Sequence, residues 1–107
     1  SLDTFCPMGP VIVHKSSIKE LQSLSIETKV NGEIRQAAST EQLIFDIPEL
    51  VSVLSQGMTL EPGDVIATGT PSGVGLGYKP PKFLQAGDVI EISVEGIGTL
   101  KNTVTDE

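Results

Sequence analysis

One cysteine, Cys6, is present in 107 residues. It excludes an internal disulfide and a multi-cysteine metal site, and it fits a reducing compartment. Histidine is as scarce: His14 stands alone, with no acidic partner close in sequence, and reads as a strand-end surface or interface residue rather than a base or a ligand. Basic residues number 7 against 14 acidic ones, giving a net charge of -7, and no basic run exists. Nucleic acid and anionic membrane surfaces both require clustered cations, so neither is expected as a partner. No apolar run approaches the ~20 residues that span a bilayer. No signal peptide and no internal repeat is read.

The hydrophobic share of 38% is ordinary for a folded protein, so a core is expected, in one small domain or a piece of a larger one. The most informative stretch runs from Met58 to Gly77, MTLEPGDVIATGTPSGVGLG. Glu61-Pro62-Gly63-Asp64 predicts a chain reversal, with Pro presetting the first turn position and Gly supplying positive φ. Val65-Ile66-Ala67 then reads as a buried strand. At Gly69 the apolar run stops, and Gly69-Thr70-Pro71-Ser72-Gly73-Val74-Gly75-Leu76-Gly77 forms a loop with four glycines and two free hydroxyls. Such a loop can bring backbone amides close to a small, oxygen-rich ligand; the plainer reading is that the glycines only turn the chain. Two phosphate motifs fail. A Walker loop needs Lys and then Ser or Thr after its last Gly, whereas Val74 and Leu76 follow Gly73 and Gly75; a dinucleotide fingerprint would need Gly at the position of Tyr78.

Along the rest of the chain, Val11-Ile12-Val13 reads as a strand after an irregular Pro- and Gly-containing start, and Ser16 and Ser17 can cap a single turn through Ile18, Lys19 and Glu20. Ser25 to Val30 alternates apolar and polar residues, Asn31-Gly32 is a strong hairpin signal, and Glu33 to Gln36 should return antiparallel. Glu27 and Glu33 flank that turn and read as solvated positions rather than an acid–base pair. Ser39 or Thr40 can begin a short turn. A cap near Asp46 or Ile47 opens a helix from Pro48 to about Gln56 that Gly57 ends, with Ile47, Leu50, Val51 and Leu54 as its core stripe. Lys79-Pro80-Pro81-Lys82 is a stiff connector. Gln85-Ala86-Gly87-Asp88 repeats the Gly-Asp turn, and Val89 to Val94 pairs with Thr99 to Val104 around Glu95 to Gly98.

These residues carry a resemblance. Phe5-Cys6-Pro7 with Gly9-Pro10, Val30-Asn31-Gly32-Glu33 with Arg35-Gln36, Ile44-Phe45, Leu60 to Ile66, Thr68 to Gly75, and Gly87-Asp88-Val89 occur in the order seen in the fumarylacetoacetate hydrolase family. The match spans nearly the whole chain. The Lys79-Pro80-Pro81 insertion is similar to the domain-2 or 2-hydroxyhepta-2,4-diene-1,7-dioate isomerase type of member.

The resemblance implies a mainly β, α+β fold of layered sheets with one principal helix, incomplete in this chain. It implies a homodimeric catabolic enzyme using Mg²⁺, or Mn²⁺ or Ca²⁺, on acylpyruvates, β-diketo acids, oxaloacetate or hydroxymuconate-type acids. The reaction would be C–C hydrolysis, decarboxylation or isomerisation through a metal-stabilised enolate. Thr70 would hydrogen-bond the substrate, with Gly69 beside it, while Ser72 serves the loop itself. The family's metal carboxylates, a Glu-x-Glu cluster and a later Asp, match nothing in residues 1–107; Glu91 and Glu95 lie in the terminal hairpin. The family's lysine commonly precedes a Ser-Phe-Asp-like segment, which Ser1-Leu2-Asp3 resembles. The chain is therefore expected to be the C-terminal part of such a domain, inactive by itself, with no catalytic or metal-ligating residue of its own. It would associate with the missing part or a second copy, in the cytoplasm or, in a eukaryote, the mitochondrion. A different class stays open: a small acidic β-rich binding or structural domain without catalysis.

Overall fold

The computed structural model describes residues 3–106; Ser1 and Leu2, and with them most of the Ser1-Leu2-Asp3 resemblance, lie outside the described residues. The strands are β1 (Ser25–Val30), β2 (Glu33–Ser39), β3 (Val89–Val94) and β4 (Gly98–Thr103), and the helix is α1 (Ile47–Gly57). The strands form one antiparallel sheet in the order β2-β1-β3-β4. Mainly β with one principal helix is thus the observed fold class.

Alternation in β1 decides which face is apolar. Ile26 lies between Ala38 and Val94, Thr28 between Gln36 and Ile92, and Val30 beside Ile90, so these side chains share one face. Glu27, Ala37, Ser93 and Thr99 share the other, where the Ser93 and Thr99 hydroxyls lie 2.8 Å apart. Asn31 (φ 51) and Gly32 (φ 80) make the two-residue turn that the right-handed twist of a hairpin prefers. Asn31 also joins the two hairpins: its Nδ2 donates to Asp88 Oδ1 at 2.9 Å, and its Oδ1 accepts from the Val89 N–H at 2.9 Å. On β2 the register slips so that Thr28 faces Gln36 but Lys29 faces Ile34, leaving Arg35 in a bulge.

Asp46 caps α1 by accepting from the Glu49 N–H at 2.9 Å, with Pro48 in the first turn. Ile47, Leu50 and Leu54 are half-buried, but Val51 is 40% exposed and falls outside the stripe. The two Gly-Asp turns are built alike. In each, the Asp carboxylate accepts the N–H three residues back, from Glu61 at 2.8 Å and from Gln85 at 2.9 Å.

Three expectations are corrected. Val65-Ile66-Ala67 and Val11-Ile12-Val13 belong to no strand, because among the described residues neither has a ladder partner; Val65 is 69% exposed and Ile12 fully so. The early turn is Lys15–Ser17, and its cap is His14, whose exposed ring Nδ1 accepts from the Ser16 N–H at 3.2 Å.

Among the described residues only Leu24 and Val30 are buried apolar residues, and each keeps a small exposed fraction. The accessible surface is 8468 Å², against about 5,700 Å² for a compact monomer of this size. The radius of gyration is 15.4 Å, where roughly 13 Å is usual. Ile12, Ile44, Phe45, Leu76 and Phe83 remain largely exposed.

Candidate functional site

The glycine loop passes over the apolar sheet face, fastened there by two adjacent residues of β2. Gln36 Nε2 donates to Thr70 Oγ1 at 2.7 Å and to the Pro71 carbonyl at 2.9 Å. A carbonyl can only accept, so Pro71 fixes the amide with its nitrogen toward the loop. Thr70 Oγ1 is therefore an acceptor from Gln36 and keeps its own proton, which no acceptor among the described residues takes. One residue back, the carbonyl of bulged Arg35 accepts from the Tyr78 hydroxyl at 3.3 Å. The same carbonyl abuts Gly73 so closely that a Cβ there would overlap it. Gly73 has φ +110 and Gly69 φ +96, backbone that glycine adopts without strain.

Cations brace the far end of the loop. The Tyr78 ring lies 4.5 Å from Lys82 Nζ and 5.5 Å from the Arg35 guanidinium. Glu33 accepts from Lys82 Nζ at 3.2 Å and from Arg35 Nε at 2.8 Å. The Lys82 hydrogen bond and charge, with the Arg35 guanidinium beside them, hold its exposed carboxyl below the ordinary value. Glu33 is thus exposed as expected, but it ties the Lys79 to Lys82 connector to β2. A Cβ on Gly75 would run into the Lys82 carbonyl, and the Lys82 N–H donates to the Gly75 carbonyl at 2.8 Å.

Thr70 and Gly69 line a cavity of about 460 Å³ whose apolar wall includes Ile26, Leu43, Ile44, Phe45 and Leu50. Its lining contains no Asp, Glu, His or Cys. Among the described residues no three such side chains come together as a metal site would need. The side-chain groups that meet at Thr70 are a neutral hydroxyl and a neutral amide, so the described residues do not fit a complete site for the divalent cation that the resemblance implies. What the arrangement can do is donate one aimed O–H to a ligand oxygen, with an apolar surface beside it. Ser72 is exposed, and no hydrogen-bond partner is seen for its hydroxyl among the described residues. Gln36 and the Arg35 carbonyl had no local signal in the sequence as a loop support; their roles come from contacts 34 and 43 residues away in the chain.

A family model described as fumarylacetoacetate (FAA) hydrolase C-terminal matches residues 1–105. Oxaloacetate tautomerase YisK of Bacillus subtilis (strain 168) is 64% identical over 104 residues, which are 97% of this chain and 35% of that protein. A fumarylacetoacetate hydrolase from psychrophilic Exiguobacterium antarcticum is similar at 54% identity with a TM-score of 0.95, over 100% of this chain and 38% of that one. A maleylpyruvate hydrolase from Sphingobium sp. SYK-6, solved in complex with manganese(II) ion and pyruvate, is similar at 41% identity and a TM-score of 0.86, over 96% and 36%. The chain spans little more than a third of the length of each of these. No helix among the described residues is long and apolar enough to cross a membrane.

Proposed function

The chain belongs to the fumarylacetoacetate hydrolase family, and from that premise we propose that it forms the C-terminal part of an enzyme performing enolate chemistry on a small 2-oxo acid. The family includes hydrolases and tautomerases of carbonyl acids, and a manganese complex is known for one solved neighbour. The proposed substrate class is an oxaloacetate- or acylpyruvate-like acid, with keto–enol interconversion, C–C hydrolysis or decarboxylation as the reaction. A divalent cation, Mg²⁺ or Mn²⁺, would polarise the substrate's oxygens from ligands supplied outside residues 1–107.

This chain's own contribution is substrate binding. The observation that carries the reading is the Thr70 hydroxyl, which lines the cavity and accepts from Gln36 at 2.7 Å, leaving its proton available to a ligand. A carboxylate or developing enolate oxygen is the acceptor that such a donor suits, because a hydrogen bond to a charged group is about twice as strong as a neutral one. Gly69, with no Cβ, lets that oxygen approach the loop backbone. The excess accessible surface and the exposed Ile44 and Phe45 support burial against the remainder of the enzyme or a second copy in a homodimer.

The test is Thr70→Val in the complete enzyme, with oxaloacetate as the first substrate. Losing a hydrogen bond to a charged group removes about 1.5 to 3 kcal/mol, so kcat/KM should fall roughly ten- to a hundredfold while metal affinity and fold are kept. A value within about twofold of the parent would return the loop to a mere turn.

A further inference from the structure

We infer that Gln36 is a positioning residue for substrate recognition: its amide sets which way the Thr70 hydroxyl donates. The inference rests on the binding role given to Thr70 above and adds a second residue and a direction to it. A threonine hydroxyl can donate or accept, and on an exposed loop it rotates to suit its surroundings. Here the choice is removed by a chain of one-way groups. Pro71 offers an acceptor that can only accept, so the Gln36 amide must turn its nitrogen to the loop, where that nitrogen also lies 2.7 Å from Thr70 Oγ1. With a lone pair of Oγ1 occupied, the hydroxyl proton is left for a ligand. Close packing supports the same geometry: Gly73 rests on the Arg35 carbonyl one residue before Gln36, so the loop stands at a fixed height above β2.

The side chain's placement is also specific to this task. Gln36 is paired with Thr28 in mid-strand, where a half-buried amide needs partners, and both of its observed acceptors belong to the loop. Replacing the amide by a carboxylate of the same shape inverts the logic. A carboxylate cannot donate; it would accept the hydrogen bond of the Thr70 hydroxyl and set a like charge near a carboxylate substrate. Protonation would give the donor back.

The experiment uses the complete enzyme with oxaloacetate and compares Gln36→Leu, Gln36→Glu, Thr70→Val and the double variant Gln36→Leu/Thr70→Val over about pH 4 to 8, a range that spans the titration of a glutamate. Gln36→Leu should lower kcat/KM about tenfold. Gln36→Glu should lose at least as much near neutrality and recover relative to the parent as the pH falls, an acid limb that a merely structural role would not create. The double variant should be no worse than Thr70→Val, because Gln36 acts through Thr70. If Thr70→Val is impaired but both Gln36 variants stay within about twofold of the parent at every pH, the positioning role is refuted and the Thr70 reading stands. Multiplicative losses in the double variant, or a Gln36→Glu loss flat with pH, also refute it. If Thr70→Val itself is harmless, the binding reading falls and this inference falls with it.

Discussion

Gly73 and Gly63 separate the cost of backbone strain from the cost of overlap. Both have positive φ, +110 and +98, so a side chain at either would be strained. Holding a non-glycine residue in such a region costs roughly 1–3 kcal/mol, offset by about 0.4–1 kcal/mol because alanine restricts the unfolded chain. Their surroundings differ. A Cβ on Gly63 would meet nothing within 4 Å, whereas one on Gly73 would overlap the Arg35 carbonyl oxygen and lie 2.9 Å from both the Arg35 carbonyl carbon and Gln36 Cγ. Backbone held between the paired Ile34 and Gln36 cannot swing away as a side-chain tip can, so the loop must lift, and overpacking of this kind adds about 1–3 kcal/mol. Gly63→Ala should therefore destabilise the complete protein by about 0.5–2 kcal/mol, and Gly73→Ala by about 2–5 kcal/mol. Denaturant titration measures both, and kcat/KM should fall with Gly73→Ala alone, since lifting the loop parts Gln36 from Thr70. Equal losses at the two sites, or full activity in Gly73→Ala, would refute the account of the loop as seated on β2.

Asp88 is held below its ordinary value by the Gln85 N–H and then by the Asn31 amide. A carboxyl depressed in the folded state adds stability that is complete above its unfolded value and is lost as pH falls through the folded one. Asn31→Gly keeps the positive-φ turn while removing one donor, so the melting temperature should depend less steeply on pH below about 4 than in the parent; an unchanged acid limb would count against the bridge. The 107-residue chain alone should show no enzyme-like turnover of oxaloacetate with Mg²⁺ or Mn²⁺, because several oxygen ligands must converge on a hard cation. Metal-dependent turnover by this species would mean that its donor set had been misjudged.

Local chemistry made the hairpins and the helix readable. Asn31-Gly32 encodes a turn in two residues, Asp46 and Pro48 encode a helix start in three, and the period-two pattern of Val89 to Val94 persists whatever lies above it. Val65 to Ala67 was misread because an apolar trio reports a preference for burial but not a ladder partner, and pairing is non-local. The same limit hid Gln36. Its neighbours in sequence describe a strand, while its work is done on Thr70 and Pro71, which reach it only when the loop folds back. That residues 69–77 form a loop was legible from the glycine spacing, but not its seat on Arg35 and Gln36.

The bond pair at Asn31 also bears on the order in which the chain assembles. Each hairpin can close locally, through two residues between β1 and β2 and three between β3 and β4. Docking one hairpin on the other instead closes residues 40–88 into a single ring, and chain-closure entropy makes that step about 2.5 kcal/mol dearer than a three-residue loop. The helix and the glycine loop both lie inside that ring. Asn31, Asp88 and Val89 meet where it shuts, so the late encounter of the two hairpins is also what brings the ring's ends into register. Local pairing is expected early, and the glycine loop, held inside the ring, is expected to be among the last segments to acquire its shape.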